Sequence, residues 1–368
     1  MRTARRVREM RGTGKLAPAA FDRLIASRLG AARPEVLLGP RPGTDAGIVR
    51  IGAGRVLATT TDPLSLIPAL GPERSARLAC HLVASDLWTT GIPPGYATVT
   101  LNLPLALEEP TLDRYLAALD AAWRELDIAV VTGHTGRYEG CGLTIVGAAT
   151  LIGVGDEGRW VGAPFVESGD RVVVTKEVAL EATAIAAHLF PQRLARELTA
   201  ELGEPAAVHA LTLARAKLDQ VSVVEDCRAA LRVGVRDRGV SAMHDATEGG
   251  VLGGLVELAR ATGHDLRIER ARLPLSPEGR VACASFGIDP YWTLSEGVLL
   301  LCVRPGHAAA VLAALAEASI PAQEAGEVVP GPGMLWLTEP DGSVTKLVEP
   351  EPDPYWPAYA RAVREGWS

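Results

Sequence analysis

The 368-residue sequence is poor in cysteine, in aromatic side chains and in long apolar runs. Its five cysteines are scattered without a Cys-X-X-Cys pair, which argues against a disulfide framework and against a zinc cluster. We therefore interpret them as small buried thiols. No uninterrupted apolar stretch reaches the roughly 20 residues that an α-helix needs to cross a bilayer. The sequence predicts a cytoplasmic protein with no membrane partner.

An excess of positive charge is also absent. The chain has 37 lysines and arginines against 44 acidic residues, a formal net charge of −7. This balance gives no general attraction for nucleic acid, so we expect no nucleic-acid partner. Arginines are frequent at the start, but no apolar stretch follows them, and residues 1–13 are interpreted as a flexible basic arm rather than a signal peptide.

The residues that are present predict a globular protein of two domains. Hydrophobic residues make up 48% of the chain and charged residues 22%, which is typical of compact proteins. A chain of this length exceeds what one hydrophobic core usually holds. We therefore expect an α/β (α+β) fold divided into a domain at residues 14–155 and another at residues 165–347. Glycine-rich residues 155–169 have the composition of a linker, and residues 348–368 that of a surface tail.

Hydrophobic periodicity places the elements of the two halves. In the first half it predicts a helix in residues 21–29, strands at 48–51, 56–61, 96–103, 128–131 and 143–154, and helices at 75–90 and 110–126. In the second half it predicts strands at 171–175, 240–243, 265–268 and 297–303, and helices at 179–202, 249–261, 277–286 and 306–318. A further helical stretch is predicted at about 211–233, with a break near 218–222. The strand at 128–131 is expected to be buried, because its residues are continuously apolar.

Three aspartates in the first half stand at the ends of these elements. Asp45 lies in Pro-Gly-Thr-Asp, Asp62 follows a predicted strand, and Asp86 lies near the end of a predicted helix. Carboxylates are hard oxygen ligands of the kind that Mg²⁺ prefers. Each aspartate alone is also explained as a turn or capping residue, and it is their joint order that favours a metal site.

The motif His-Asp-Ala-Thr-Glu-Gly-Gly, residues 244–250, follows a predicted strand and begins a predicted helix. The amides of Gly249 and Gly250 would point along a helix dipole that favours an anion such as phosphate. Asp245 and Glu248 in the same motif are candidates for metal and cofactor binding. The alternative is that both acids only cap the helix.

Other candidates for cofactor binding depend on weaker patterns. Gly133, His134 and Thr135 follow the strand predicted at 128–131, so we expect them at the sheet edge where ligands of α/β proteins gather, unless they form a turn with a surface histidine. Lys15, in Gly-Thr-Gly-Lys, lacks the Walker spacing and is no phosphate loop, but it stays a candidate. Lys176 follows the strand at 171–175 and is the second basic candidate.

The order of these motifs resembles the aminoimidazole-ribonucleotide-synthetase (PurM-like) superfamily. The resemblance covers about residues 14–328 and depends on seven motifs that occur in the family order. In chain order these motifs are Gly-Thr-Asp, Thr-Thr-Asp-Pro, Ser-Asp, Gly-Ile-Pro-Pro, Gly-His-Thr, Met-His-Asp-Ala-Thr-Glu-Gly-Gly and Asp-Pro-Tyr-Trp-Thr-Leu-Ser-Glu-Gly. The resemblance is greatest to members related to the carbamoyl dehydratase of hydrogenase maturation. It implies an N-terminal sheet that pairs with that of a second subunit in a homodimer, an α+β C-terminal domain, and ATP and Mg²⁺ in the cleft.

The resemblance also implies roles for individual residues. Asp45, Asp62 and Asp86 match metal and phosphate positions, and Asp245 with its following glycines matches the same site. Glu296, in Ser-Glu-Gly, matches a position with the role of a base, so Glu296 and Asp245 are the candidate catalytic residues. Gly43, which begins Gly-Thr-Asp, is a further cofactor candidate. The implied chemistry is phosphorylation of a carbonyl or amide oxygen by ATP, which turns that oxygen into a leaving group.

The sequence departs from the family pattern at three places. Thr44 stands where a second aspartate is usual, the segment at His134 and Gly136 lacks an acid and a lysine, and the chain ends in Gly-Trp-Ser without a cysteine. We therefore do not expect the complete cyanide-forming reaction in cis. Two alternatives are a small-molecule kinase similar to thiamine-monophosphate kinase and a non-catalytic nucleotide-binding scaffold in metal-centre assembly. The second substrate is not identified by the sequence.

Overall fold

The computed structural model describes residues 13–347 and 353–368. Within these residues the chain forms two β-sheets, each covered by helices, in agreement with the predicted fold class. The basic arm predicted at 1–13 lies outside the described residues apart from Thr13, and so do residues 348–352 of the predicted tail. No helix in the described ranges is long and apolar enough to span a membrane.

The first sheet has six strands in the order β1-β2-β3-β6-β4-β5. The strands are β1 (Val36–Leu38), β2 (Gly47–Gly52), β3 (Arg55–Ser65), β4 (Tyr96–Pro104), β5 (Ala129–Tyr138) and β6 (Ile145–Asp156). The helices of this half are α1 (Pro18–Leu24), α2 (Pro72–Trp88) and α3 (Glu109–Glu125). Side chains alternate along β3, and Val56, Ala58 and Leu64 share a core with Val83 and Leu87 of α2.

The second sheet has seven strands in the order β13-β12-β9-β11-β7-β10-β8. They are β7 (Arg171–Thr175), β8 (Val240–Ala246), β9 (Asp265–Glu269), β10 (Val298–Val303), β11 (Ala322–Val329), β12 (Leu335–Thr338) and β13 (Val344–Leu347). Its helices are α4 (Leu180–Leu189), α5 (Pro191–Leu202), α6 (Glu204–Ala216), α7 (Val224–Leu231), α8 (Gly250–Thr262), α9 (Pro277–Phe286), α10 (Ala308–Glu317) and α11 (Tyr355–Arg364).

Central strand β10 is buried on both faces, and its alternation separates two cores. Leu300 belongs to the core that includes Val251 of α8, whereas Leu301 belongs to the core that includes Val311 of α10. Helices therefore cover both faces of this sheet. Strand β8 pairs with β10 at the end of this sheet and carries residues 244–246, the first three of the motif at 244–250.

The prediction of a buried strand at 128–131 was wrong. Strand β5 begins at Ala129, continues to Tyr138 and lies at the edge of the sheet, with Val130 51% and Val131 57% exposed. A short apolar run cannot tell a central strand from an edge strand, because the difference lies in the neighbours that the sheet supplies. Gly133, His134 and Thr135 consequently lie inside a strand rather than after one.

The helix predicted at 179–202 is interrupted at Phe190, where φ is −130° and ψ is 49°. Pro191 has no amide hydrogen for the preceding helix, and it begins α5 instead. The helical stretch predicted at 211–233 is broken as predicted near 218–222, because α6 ends at Ala216 and α7 begins at Val224. Helix α6 begins earlier than predicted, at Glu204, after Gly203 with its positive φ of 79°. Strands β11 to β13 were not predicted.

Two regions that resembled loops are packed. In the predicted linker, Trp160 belongs to the core of the first sheet, and Val161 belongs to a core of the second. In the predicted tail, Tyr355 is only 1% exposed, because α11 packs against α9 through Tyr355 and Phe286. Residues 353–357 are therefore not a surface tail. The predicted domain boundaries stay predictions.

Candidate active site

The three aspartates of the first half meet on the helix-covered side of the first sheet. Asp62 lies on the same face of β3 as Thr60 and Leu64, and α2 carries Asp86 across this face. Thr60 Oγ1 lies 2.8 Å from the backbone oxygen of Asp45 and 3.0 Å from Asp86 Oδ2. This hydroxyl group joins the loop that carries Asp45 to the helix that carries Asp86.

Strand β8 brings a fourth acid to the same place. Asp245 is 1% exposed, and neither of its carboxylate oxygens has a hydrogen-bond partner among the described residues. One ligand atom from each of Asp45, His244 and Asp245 lies within 4.8 Å of the others. Since buried polar atoms are nearly always hydrogen-bonded, the free oxygens of Asp245 indicate a site for a ligand rather than a structural contact.

His244 positions Asp45. Its Nδ1 lies 2.8 Å from Asp45 Oδ2, and its Nε2 lies 3.1 Å from Glu257 Oε2. Burial alone would lower the pKa of His244, but Asp45 and Glu257 raise it well above its ordinary value. The ring is therefore an imidazolium that donates to both carboxylates, and it orients Asp45 rather than offering a lone pair to a metal.

Asp62, Asp86 and Asp245 have raised pKa values. Burial, together with Glu248 and Asp45, raises the pKa of Asp62 to about 6, although Lys15 lowers it. Burial and Asp45 raise the pKa of Asp245 to about 7. Burial and the charges of Asp245, Asp62 and Asp45 raise the pKa of Asp86 well above its usual range. A group of buried carboxylates that repel one another is chemically suited to a divalent cation that prefers oxygen ligands, such as Mg²⁺.

Lys15 reaches this cluster, although its sequence context carried little signal. Its Nζ contacts the hydroxyl group of Thr247, and its backbone amide donates to Glu248 Oε2 at 2.5 Å. Burial would lower its pKa, but surrounding carboxylates, beginning with Glu257 and Glu296, raise it above its usual value. The lysine is therefore a permanent positive charge beside the acids.

The start of α8 is arranged differently from the predicted phosphate site. The Gly249 amide donates to Asp353 Oδ2 at 2.6 Å, so a carboxylate of the chain itself takes the anion position. Gly250 has a φ of 67°, and a Cβ there would lie 2.6 to 2.7 Å from backbone atoms of Tyr291 and Thr293. The backbone packing at this position therefore requires a glycine, whether or not Gly250 also contacts a ligand.

Gly43 likewise lies where two backbone segments approach each other closely. Its φ is 77°, and a Cβ would lie 2.4 Å from the backbone oxygen of Glu257 on α8. The absence of a side chain lets the loop with Asp45 approach α8 and the His244 ring. Glu296 lies next to the motif at residues 244–250, because the amide of its neighbour Ser295 donates to the backbone oxygen of Thr247 at 3.3 Å. Burial and the charges of Asp245 and Glu181 raise the pKa of Glu296 well above its ordinary value.

Gly133, His134 and Thr135 are not brought to the cluster within one chain. Asp62 pairs with Ala149, Ala149 with Val99, and Val99 with Gly133. These three steps across the sheet separate Asp62 from Gly133 by about 14 Å, at the usual spacing of about 4.8 Å between strands. His134 Nε2 instead lies 2.7 Å from the hydroxyl group of Tyr138 on the exposed strand. The expectation that this segment lies at the ligand edge was wrong.

Lys176 is held by other partners. Its Nζ donates to Asp226 Oδ2 at 2.8 Å, to the Ser222 oxygen at 2.7 Å and to the Gly297 oxygen at 2.6 Å. These bonds use all three donors of the ammonium group. A role of Lys176 in cofactor binding stays a prediction, as do the binding roles of the other candidates.

Two family models match the chain in sequence order. Residues 43–154 match the N-terminal domain of AIR synthase related proteins, and residues 167–335 match the C-terminal domain. The chain belongs to the AIR synthase-related family. Both aspartate motifs of β3 and α2 lie in the first matched region, and Asp245 and Glu296 lie in the second. The predicted resemblance and fold class are confirmed.

Relatives within the family agree with this assignment. Carbamoyl dehydratase HypE of Bradyrhizobium diazoefficiens is 28% identical over 279 residues, which cover 74% of this chain and 73% of that protein. The structure of hydrogenase maturation protein HypE in complex with ATP superposes with a TM-score of 0.63 at 20% identity, covering 94% of this chain and 97% of that one. AaThiL complexed with AMPPCP and TMP gives a TM-score of 0.61 at 22% identity, covering 84% and 90%.

Sequence reasoning missed several residues of the site. His244 stands inside the motif at 244–250, but nothing in the motif shows that its ring lies between Asp45 and Glu257. Thr60 precedes Asp62 by two residues, so strand alternation could have placed both on one face. Asp353 gave no signal, because it follows a proline-rich stretch that resembles a surface tail.

Proposed function

We propose that this protein is an ATP-dependent enzyme that phosphorylates a carbonyl or amide oxygen of a second substrate, in the manner of a hydrogenase-maturation dehydratase. The observation that carries the proposal is the buried carboxylate of Asp245, unpartnered among the described residues and surrounded by three further acids. Such a group destabilises the chain on its own and is explained by a ligand that neutralises it.

Asp45, Asp62, Asp86 and Asp245 are proposed to hold Mg²⁺. Mg²⁺ held by these residues would supply positive charge to offset the negative charge of the phosphates during transfer. His244 keeps Asp45 oriented through its 2.8 Å contact. Lys15 adds a positive charge beside the phosphates, and its contact with Thr247 places it at the start of α8.

Glu296 is proposed to accept a proton from the substrate. The amide oxygen attacks the terminal phosphorus of ATP, and ADP leaves. Loss of the nitrogen-bound protons to Glu296 and then to solvent allows the phosphorylated oxygen to depart as phosphate. The raised pKa of Glu296 makes its carboxylate a better proton acceptor than an ordinary one.

The comparisons support this proposal through the names of the similar proteins. Several curated relatives are called carbamoyl dehydratase, and one solved neighbour contains ATP. The structural likeness to AaThiL keeps a small-molecule kinase as the second candidate, because that neighbour was solved with AMPPCP and TMP. The two functions give different products, since only dehydration removes the acceptor oxygen from the substrate.

The deciding experiment combines ATP turnover with product mass on a panel of amides, carbamoyl compounds and alcohols. A dehydrated product and free phosphate support the proposal, whereas a stable phosphorylated product supports the kinase. Glu296→Gln should keep ATP affinity and lower turnover by roughly 10²- to 10⁴-fold. Glu108→Gln, an exposed acid before α3, is the matched control. Tight ATP binding without any product in the wild type would favour the scaffold.

We also propose a homodimer formed through the first sheet. The face of this sheet opposite α2 and α3 carries exposed apolar side chains, among them Ile51, Tyr96, Ile145 and Val154. An apolar sheet face of this kind favours an isologous partner. Light scattering at micromolar concentration should give twice the mass of the chain. A monomer that still turns over ATP would refute the proposed dimer but not the proposed ATP-dependent reaction.

A further inference from the structure

A cavity of about 480 Å³ opens between the two halves of the molecule. Helix α2 and the end of α3 form one wall, while residues 219–226 and 319–321 form much of the other. None of the acids of the candidate active site lines it. The cavity is therefore a separate feature, which the proposed ATP chemistry does not explain.

His81 of α2 presents a buried hydrogen-bond donor at this cavity. The residue is 6% exposed, and its Nδ1 lies 3.0 Å from Ser222 Oγ. Ser222 Oγ also accepts the amide hydrogen of Val224 at 3.3 Å, which leaves the hydroxyl hydrogen free for Nδ1. Burial and the charges of Arg77 and Arg228 lower the pKa of His81 to about 4, so the ring is neutral near pH 7. With Nδ1 as the acceptor of the Ser222 hydroxyl group, we assign the single ring proton to Nε2.

That Nε2–H group has no acceptor among the described residues. Glu125 also lines the cavity, and its Oε1 lies 3.9 Å from His81 Nε2. This distance is too long for a hydrogen bond. Buried polar groups seldom stay unpaired, so the donor indicates a ligand that brings an acceptor.

Asp226 of α7 presents the complementary group. Its Oδ2 accepts from Lys176 Nζ at 2.8 Å, but its Oδ1 is buried and has no partner in the described chain. The side chain is 2% exposed. The cavity wall thus holds both a donor and an acceptor that the fold leaves unused.

The charges around the cavity are mixed rather than of one sign. The cations are Arg77, Lys176 and Arg228, and the anions are Glu125, Asp219, Glu225 and Asp226. Arg77 lies 3.1 Å from Glu125, and Arg228 lies 2.5 Å from Glu225. A purely anionic ligand would meet the carboxylates, and a purely cationic one would meet the guanidinium groups. A molecule with both charges finds a partner for each.

We propose that this cavity binds a small zwitterion, a free amino acid. The ligand carboxylate accepts the hydrogen bond from His81 Nε2, with Arg77 and Arg228 supplying positive charge beside it. The ligand ammonium group donates to Asp226. The volume of the cavity admits a molecule of this size.

The ligand would contact elements that also carry active-site residues. His81 and Asp86 lie on the same helix, and Lys176 Nζ donates to the oxygen of Gly297, the neighbour of Glu296. None of the active-site acids lines the cavity, so the site can be tested on the full chain without ATP.

The first test is calorimetric titration of the full-length protein with each of the twenty amino acids. Propionate and propylamine, which carry only one of the two charges, are the matched probes. We expect saturable binding of at least one amino acid and none of either single-charge probe. Absence of binding by every amino acid would overturn the proposal, and equal binding of propionate or propylamine would overturn its zwitterion assignment.

Variants locate the bound molecule. His81→Phe and Arg77→Met should each weaken binding at least tenfold, while Arg74→Met, on the same helix but not lining the cavity, should leave it unchanged. Arg77 is partly exposed, so its replacement does not endanger folding even if that of His81 does. Wild-type affinity in Arg77→Met, measured on folded protein, would place the ligand elsewhere.

Discussion

Asp170 and Asp245 are equally buried, each 1% exposed, yet their surroundings differ completely. Asp170, before β7, has both oxygens within 2.7 Å of Arg304 Nη1 and accepts a further bond from Ser241 Oγ at 2.6 Å. Neither oxygen of Asp245 has a partner among the described residues. The first carboxylate stabilises the fold, and the second destabilises it unless a ligand neutralises it. Burial alone therefore does not mark a functional acid; missing partners do.

The largest expected effect concerns the structural carboxylate. Asp170→Asn leaves the Arg304 guanidinium without its main partner, and breaking such a buried pair costs about 3 kcal/mol of the free energy of unfolding. Chemical denaturation of the variant measures it. Asp113→Asn, an exposed acid on α3, should stay within about 0.5 kcal/mol of the wild type. Equal stabilities of Asp170→Asn and Asp113→Asn would show that the Asp170 carboxylate does not stabilise the fold.

The next effect concerns the residue that positions the functional carboxylates. His244→Gln removes the imidazolium between Asp45 and Glu257, so Asp45 loses its fixed orientation. Loss of such a supporting contact typically weakens metal binding by about 10- to 100-fold. Calorimetric titration with Mg²⁺ checks this, with His209→Gln on the surface of α6 as control. Unchanged Mg²⁺ affinity in the folded variant would show that His244 does not act on the metal site.

Asp245→Asn should behave in the opposite way to Asp170→Asn. Without divalent cations it replaces a buried carboxylate that has no hydrogen-bond partner among the described residues. The free energy of unfolding should therefore either increase or decrease by less than about 1 kcal/mol. Thermal melting in a chelating buffer measures it. A loss comparable to that of Asp170→Asn would mean that Asp245 has a structural partner.

A smaller effect appears as a function of pH. The pKa of Asp62 is about 6 and that of Asp245 about 7, against an ordinary value of 3.8. Between about pH 4 and 7 the folded chain therefore binds more protons at these groups than the unfolded chain, and they reduce stability as the pH rises. In chelating buffer, the melting temperature of the wild type minus that of Asp245→Asn should decrease over this range. A constant difference would contradict the raised pKa.

Local signals predicted part of the fold well. Helix α9 was predicted residue for residue, because Ser276 accepts from the Gly279 amide, Pro277 begins the helix and Gly287 ends it with a positive φ. Strand β11, with its partly exposed alternation of small and polar residues, carries no comparable signal. Its place between β9 and β7 depends on partners that are distant in the sequence.

The residues of the candidate site also differ in how far local sequence predicted them. Asp45, Asp62, Asp86 and Asp245 were predicted because each belongs to a short motif, and the motifs occur in the family order. The contact of His244 with Asp45 joins residues 199 positions apart, so local patterning could not reveal it. The contact of Asp353 with Gly249 depended on a segment whose composition pointed to a tail. Composition and motif order thus predicted the acids but not the residues that orient them.

The most direct test of the account is calorimetric titration of ATP into wild type, Asp245→Asn and Asp113→Asn, with Mg²⁺ and with chelator. We predict that wild type and Asp113→Asn bind ATP in a Mg²⁺-dependent manner, while folded Asp245→Asn loses at least about tenfold in affinity, about 1.4 kcal/mol. Equal affinities in all three proteins, or binding that does not respond to Mg²⁺, would contradict the claim that the free carboxylate of Asp245 exists to hold a metal–nucleotide ligand.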